Sequence, residues 1–423
     1  VSPPSASLER RVPRLPLALL LGTTLLFHAT TVPQPTGDTR HALTTASQIA
    51  HRGRIDLPET AHDGGNRMHE GRSFDFFPWG VAALTAPLVP LLDALTGFDD
   101  AASPERVRAE QRAQTVAASI FTMLATCMVV LLLFERERRA DVALAAGACF
   151  AFATPAWGVA AGALWMHGPV MLLIATLAWG LVRARRDPEV VPHLGWLVVL
   201  AFCVRPTTAP LLALVALHVG LRYPGQRLGF AGWLVAAAVP AAWVNLDAFG
   251  SILHPYVGRT DDVGLHAQLG LALVGHWISA GRGLLVFSPV LAFAFLGARE
   301  KGSLRELHLL FGIVIVAHWL SISSFVHWTG GHSAGPRLFS DVTPLFVWFL
   351  GPVLRALLDR RASRGLAVSF ALALAVSVLA QARTAYDPAV WLWNASPLDI
   401  DAPDSAQRHF DYTDVQFMRM SPP

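Results

Sequence analysis

The side chains able to do chemistry fall in short polar stretches between long apolar runs. Asp38, in Thr36-Gly37-Asp38, comes first. It follows the first apolar run by a few residues and precedes a short helix expected over 39–52. A carboxylate held against a hydroxyl at the membrane rim can take its proton. The same residue type in the same place also serves as a helix N-cap, and the spacing leaves both readings open. A second stretch, 326–344, reads VHWTGGHSAGPRLFSDVTP. Its glycines at 330, 331 and 335 let the backbone approach a ligand closely. Arg337 and Asp341, about one helical turn apart, either pair with each other or face a polar cavity, and His332 lies in the same stretch. Ionisable residues at such a depth are functional candidates. Arg259 and Arg282, within 249–289, carry the planar fork that fits phosphate oxygens. Arg282 stands just before an apolar segment, at the depth of a lipid phosphate; an arginine reaching out to headgroups is the plainer reading of both. Arg205, in Cys203-Val204-Arg205-Pro206, lies between two apolar runs and calls for a carboxylate or an anionic headgroup. Asp75 sits among Phe74, Phe76, Phe77 and Trp79, an interfacial aromatic set, where a charge is expensive without a partner such as Arg72. Asp261 and Asp262 read as solvated loop charge.

Other chemistries find little support. The chain has 16 histidines, but neither His62 with His69 nor His327 with His332 has the i, i+4 spacing of a helical metal pair. Cys127, Cys149 and Cys203 each lie inside an apolar run, with no CxxC pair to suggest zinc or a disulfide framework. No phosphate-cradling loop or nucleophile elbow stands where it could work.

Composition says what kind of molecule must position these residues. Of the 423 residues, 53% are hydrophobic and 15% charged, against about 25% charged in a soluble domain. Apolar runs reach or approach the roughly 20 residues a spanning helix needs. The net charge of +3 comes almost wholly from arginine, in short clusters between apolar runs, which suits positive-inside loops and not nucleic acid. The runs are 15–33, 78–95, 113–134, 140–158, 167–182, 194–204, 206–221, 229–248, 283–298, 305–326, 342–358 and 364–382. The start reads as an uncleaved first helix rather than a signal peptide, because His28-Ala29-Thr30 is a poor cleavage site.

The clusters at 135–139, 183–186, 222/227, 299–305 and 355–364 all reach the cytoplasmic face only if 78–95 does not span. That Pro-broken run is therefore placed as an interfacial or re-entrant helix on the outer side. The expectation is an all-α polytopic bundle of about eleven spans, the N-terminus inside and the active face outside. Four polar segments share that face: 34–77, 249–282, 327–341 and 383–423. The first is long for a connector, and loops of such length are functional or disordered. The transmembrane domain is expected over 1–382, with an extracytoplasmic first loop at 34–112 and an extracytoplasmic tail at 383–423.

With these segments in place the chain resembles the GT-C superfamily of integral-membrane glycosyltransferases, nearest to bacterial branches related to the protein mannosyltransferase and lipid A aminoarabinose transferase families. The likeness rests on Gly37-Asp38 after the first helix, FDFFPWGVAALTAPL at 74–88, RGLLVFSPVL at 282–291, WTGGHSAGPRLFSDVTP at 328–344 and the tail from 391. The resemblance implies an inverting transferase of a bacterial inner membrane. Its donor would be a polyprenyl-phosphate sugar, and its acceptor a lipid, glycan or protein. Asp38 would be the base, Arg337, Arg282 and Arg205 would steady the leaving phosphate, and a divalent metal stays open as a cofactor. Two positions depart from the family pattern: Thr39 follows Asp38 in place of a second acid, and 155–168 contains no acid. A non-catalytic relative that binds a polyprenyl-linked glycan, and a lipid-linked glycan transporter or flippase, are the competing readings. The gathering of polar residues on one face weighs against transport.

Overall fold

The computed structural model describes residues 12–34, 37–61, 66–99, 105–258 and 262–420. The chain is a helical bundle. After α1 (Arg14–Ala29), a polar excursion holds α2 (Ala42–Arg52) and a three-stranded antiparallel sheet of order β1-β3-β2, with β1 (Asp56–Leu57), β2 (Arg67–His69) and β3 (Arg72–Phe74). Two short helices follow, α3 (Gly80–Thr85) and α4 (Val89–Thr96), joined by a 3-10 turn at Pro87. The central part contains α5 (Glu105–Glu137), α6 (Ala140–Ala153), α7 (Pro155–Gly158), α8 (His167–Arg183), α9 (Leu194–Val204), α10 (Ala209–Arg222) and α11 (Arg227–Phe249). The last part has α12 (Leu269–Ile278), α13 (Leu284–Phe287), α14 (Ala294–Gly297), α15 (Arg305–Ser323), α16 (Thr343–Leu358), α17 (Arg364–Tyr386) and α18 (Pro388–Leu392).

Among the described residues, five helices are long and apolar enough to cross a membrane, and six shorter apolar helices accompany them. At 1.5 Å per residue, the 33 residues of α5 extend about 50 Å, well beyond the roughly 30 Å of a hydrocarbon core. The helix starts at Glu105, so part of the stretch expected as first loop already belongs to it. Alanine and other small residues let α5 pack closely with α1, α6 and α8, and this layer holds much of the core.

The arginine clusters meet at one end of the bundle. Glu135 faces Arg186 at 2.9 Å, Arg136 contacts Glu137 at 3.0 Å and Glu300 at 2.5 Å, and Arg355 contacts Glu137 at 2.6 Å. Arg139 pairs with Asp359, and Arg222 with Glu306. The polar segments meet at the other end. There Arg72 pairs with Asp247 at 3.0 Å, and the amide of Val326 donates to the carbonyl of Asp262.

Two expectations need correction. The run 283–298 is not one helix: Ser288 and Pro289 interrupt it, and a 3-10 segment, Pro289–Phe293, separates α13 from α14. Proline lacks the amide that a continuing helix requires. The segment 249–282, read as one of the four polar segments, contains the apolar helix α12. The turn at Arg205-Pro206 between α9 and α10 is where the sequence places it.

Candidate active site

Asp38 occupies a 3-10 turn, Gly37–Thr39, and is not the N-cap of α2, a position held by His41. The chain before it is pinned to the bundle. The Val32 amide donates to the carbonyl of Ala385, the Gln34 amide to that of Gly162, and the buried Gln34 side chain to those of Gly158 and Thr384. The aromatic stretch is seated as firmly. An added Cβ at Gly80 would lie 2.4 Å from the Cys203 backbone, so glycine alone allows α3 this close to the end of α9, just before Arg205.

Arg337 reaches the site from the opposite side, on the glycine-rich loop. Gly330, Gly331 and Gly335 all have positive φ, at 73°, 64° and 63°, a region that glycine adopts without strain. The turn aims the carbonyl of Gly330 at Arg337, whose Nη1 donates to it at 3.0 Å. Nη2 of Arg337 pairs with Asp38 Oδ2, and Nε donates to His167 Nε2 at 3.2 Å. The guanidinium also lies 4.0 Å above the ring of Trp165, a cation–π arrangement strengthened by burial. Burial pulls the Arg337 pKa down to about 9, against the opposing pull of the Asp341 carboxylate, so the group stays cationic near neutral pH.

Behind this pair lies Asp341, fully buried at the head of α16 in the 3-10 turn Ser340–Val342. Its Oδ1 is 2.6 Å from Nδ1 of His167. Because Nε2 of that ring accepts from Arg337, Nδ1 must carry the proton and donate to Asp341. Arg205 Nε is 2.6 Å from Asp341 Oδ2, an ionic contact without hydrogen-bond alignment. His318 Nε2 stands 3.8 Å from the same oxygen. Asp38, Arg337, His167, Asp341 and Arg205 thus form one continuous chain of contacts.

Arg205 also lines a cavity of about 240 Å³, with Thr207, Tyr256, Ser321, Phe325 and Leu338 among its walls. The Thr207 hydroxyl is buried without a hydrogen-bond partner among the described residues. Phe76 and Phe77 pack on Tyr256, with ring centroids 5.9 and 5.8 Å away, and so brace the wall of this cavity. Asp75 accepts from the Phe77 amide at 3.1 Å. Arg72, the partner suggested for it, is taken by Asp247 instead.

The remaining candidates stand apart. Arg282 is buried, and its guanidinium donates five hydrogen bonds, to the carbonyls of Gly281, Thr329 and Gly331 and to the side chains of Asn394 and Gln416. Those five exhaust its N–H groups, leaving none for a phosphate. Gln416 in turn donates to the carbonyls of Ser333 and Val390 and accepts from the Gly335 amide. Arg282 therefore ties the loop carrying Arg337 to the tail. His332 is exposed and faces Asp399 at 3.1 Å and Asp401 at 3.6 Å, also on the tail. Arg259 and Asp261 lie outside the described residues.

The Asp38 carboxylate is engaged through Oδ2 by the Arg337 guanidinium, so a divalent ion there would have to compete with Arg337 for it. Among the described residues the one set of three metal-type ligands is His332 with Asp399 and Asp401, all exposed. The residues that sequence reasoning missed are His167, Trp165 and His318. Their available signal was an ionisable or polar ring inside an otherwise apolar run, as in Trp165-Met166-His167.

No protein-family model matches the chain, and no curated protein matches it. Solved structures do. ArnT from Cupriavidus metallidurans bound to undecaprenyl phosphate superposes with a TM-score of 0.56 at 14% identity, over 90% of this chain and 68% of that one. The apo form of the same protein gives 0.54 at 15% identity, over 90% and 64%. The oligosaccharyltransferase of Archaeoglobus fulgidus in its apo form gives 0.49 at 13% identity, over 96% and 60%. This chain spans about two thirds of the length of ArnT and shares its fold, a bundle rich in apolar helices.

Proposed function

We propose that this chain, having the fold of a protein solved with undecaprenyl phosphate, is a membrane glycosyltransferase that moves a sugar from a polyprenyl-phosphate donor to an acceptor hydroxyl. The observation that carries the reading is the direct pairing of Asp38 with Arg337, a proton acceptor beside a phosphate ligand. Arg337 and Arg205 would hold the donor phosphate, with Thr207 and the aromatic wall around Tyr256 shaping the cavity next to it. Asp341 and His167 act through the arginines as positioning residues, fixing their charge and direction. Arg282 serves as a structural tie.

In the unliganded site Arg337 holds the Asp38 carboxylate. An arriving phosphate competes for the guanidinium and releases Asp38 toward the acceptor. The acceptor oxygen then attacks the anomeric carbon on the face opposite the phosphate. The new carbon–oxygen bond forms as the sugar–phosphate bond breaks, Asp38 takes the hydroxyl proton, and the bond's electron pair leaves on the phosphate between Arg337 and Arg205. The anomeric configuration inverts. No step runs through a metal. The active face is extracytoplasmic, in the inner membrane of a bacterium, with the arginine clusters on the cytoplasmic side. The acceptor is a lipid, glycan or protein.

The test is sugar transfer by the purified chain in liposomes, using a panel of polyprenyl-phosphate sugars, with Asp38→Asn beside the wild type. Loss of the base should lower transfer by roughly 10²–10⁴-fold. Equal rates would remove Asp38 as the base. A wild type that binds undecaprenyl phosphate yet transfers from no donor would replace the enzyme with a non-catalytic glycan-lipid binder.

A further inference from the structure

A groove at the end of the molecule away from Asp38 takes no part in this chemistry. Its volume is about 920 Å³, and it runs between α15 and the side formed by α14 and α16. Its α15 wall is a single stripe from Arg305 to Trp319, about 21 Å of helical rise. Gly312 sits within that stripe, and no atom lies within 4 Å of where its Cβ would be. Phe295, Phe346 and Phe349 form the facing wall. Trp277 closes the far end, its ring centroid 4.8 Å from that of Phe339, so the groove does not continue to Arg337. The neighbouring outward side chains are apolar: Leu309 is 56% and Phe295 48% exposed. The groove thus opens sideways toward lipid.

Its mouth is polar and positive. Arg299, Lys301 and Arg305 line it, all three are exposed, and none has a side-chain hydrogen bond or ion pair among the described residues. The acid there, Glu300, is engaged by Arg136 and Arg355. Three uncommitted cations over a long apolar trough match one chemistry, an anionic head on a hydrocarbon tail.

We propose that this groove binds an anionic membrane phospholipid from the leaflet opposite the Asp38 site. The phosphate sits between Arg299, Lys301 and Arg305, and an acyl chain lies along the α15 stripe toward Trp277. Because Trp277 and Phe339 separate the groove from the network around Arg337, the site is independent of any donor lipid.

The full chain, purified in mild detergent, would be given equimolar phosphatidylglycerol and phosphatidylcholine, and retained lipid measured by native mass spectrometry. The wild type should retain phosphatidylglycerol preferentially. Arg299→Gln combined with Lys301→Gln should reduce that preference by roughly tenfold, and Gly312→Leu should reduce retention of both lipids by filling the trough. Folding of each variant is checked by the protection of buried Cys149 from a thiol reagent. The exposed charge pair keeps the test decisive should Gly312→Leu fail to fold. Equal retention of the two lipids by the wild type would overturn the proposal, as would unchanged preference in the charge variant. Loss of phosphatidylglycerol in Arg337→Ala, with the mouth intact, would also overturn it, by placing the lipid at the other end.

Discussion

Asp341→Asn is the sharpest single perturbation of the site network. The carboxylate is fully buried, and its neighbour Arg205 has a side chain only 4% exposed. Removing the negative charge leaves a buried guanidinium uncompensated, which costs about 3–5 kcal/mol. The amide keeps the shape and an acceptor for His167, so the 2.6 Å bond weakens from charge-assisted to neutral, about 1 kcal/mol more. The expected loss is about 4–6 kcal/mol, against a typical total of about 5–15. Adding Arg205→Met removes the stranded cation and should recover at least about 2 kcal/mol, a coupling in the range seen for residues in contact. The assay is equilibrium unfolding in mild detergent, followed by thiol labelling of Cys149, which is 5% exposed in the fold. A double variant no more stable than Asp341→Asn would refute the reasoning, because Arg205 would then not depend on this carboxylate.

Arg337→Lys keeps a positive charge but loses the fork that meets Asp38, His167 and Gly330 together. Binding of undecaprenyl phosphate, measured by calorimetry, should weaken by roughly 10- to 100-fold, in keeping with one or more lost charged hydrogen bonds. Gln416→Ala strands an Arg282 donor, the Gly335 amide and two carbonyls. It should cost about 2–4 kcal/mol and open the 329–337 loop to limited proteolysis in an otherwise folded chain. His409, buried against Trp328 and Trp393, has its pKa pushed down to about 3 by burial, with Arg282 and Arg408 adding to the effect. The folded chain therefore keeps this ring neutral while the unfolded chain protonates it, so stability is full above about pH 6.5 and falls as the pH drops toward 3. The loss should reach about 2 kcal/mol at pH 5, and His409→Gln should flatten the unfolding midpoint over that range.

Much of the layout was legible because hydropathy and arginine clustering act over whole segments. The five basic clusters do meet at one end, and Arg205 does mark the turn between α9 and α10. The run 283–298 misled because an average over sixteen apolar residues is blind to the break made by Ser288 and Pro289. The sheet was missed because its strands have only two or three residues, too few for an alternating pattern. Asp38 and Arg337 stood out as charges beside apolar runs, but 299 positions separate them and nothing local predicts their pairing. His167 was hidden for the same reason, its partner Asp341 lying 174 residues away. Arg282 shows a different limit. A guanidinium ready for phosphate and one ready for carbonyls look alike until the tail that supplies Asn394 and Gln416 is in place.

That tail sets an order of events. Gln416 leaves the ribosome 81 residues after Gly335 and 134 after Arg282, the two groups it joins. At about 5–20 residues per second, Gly335 waits roughly 4–16 s for its partner. Throughout that interval the bundle can already be inserted while the loop presenting Arg337 lacks its clasp. The clasp on the Arg337 loop therefore closes only after residue 416 has been made.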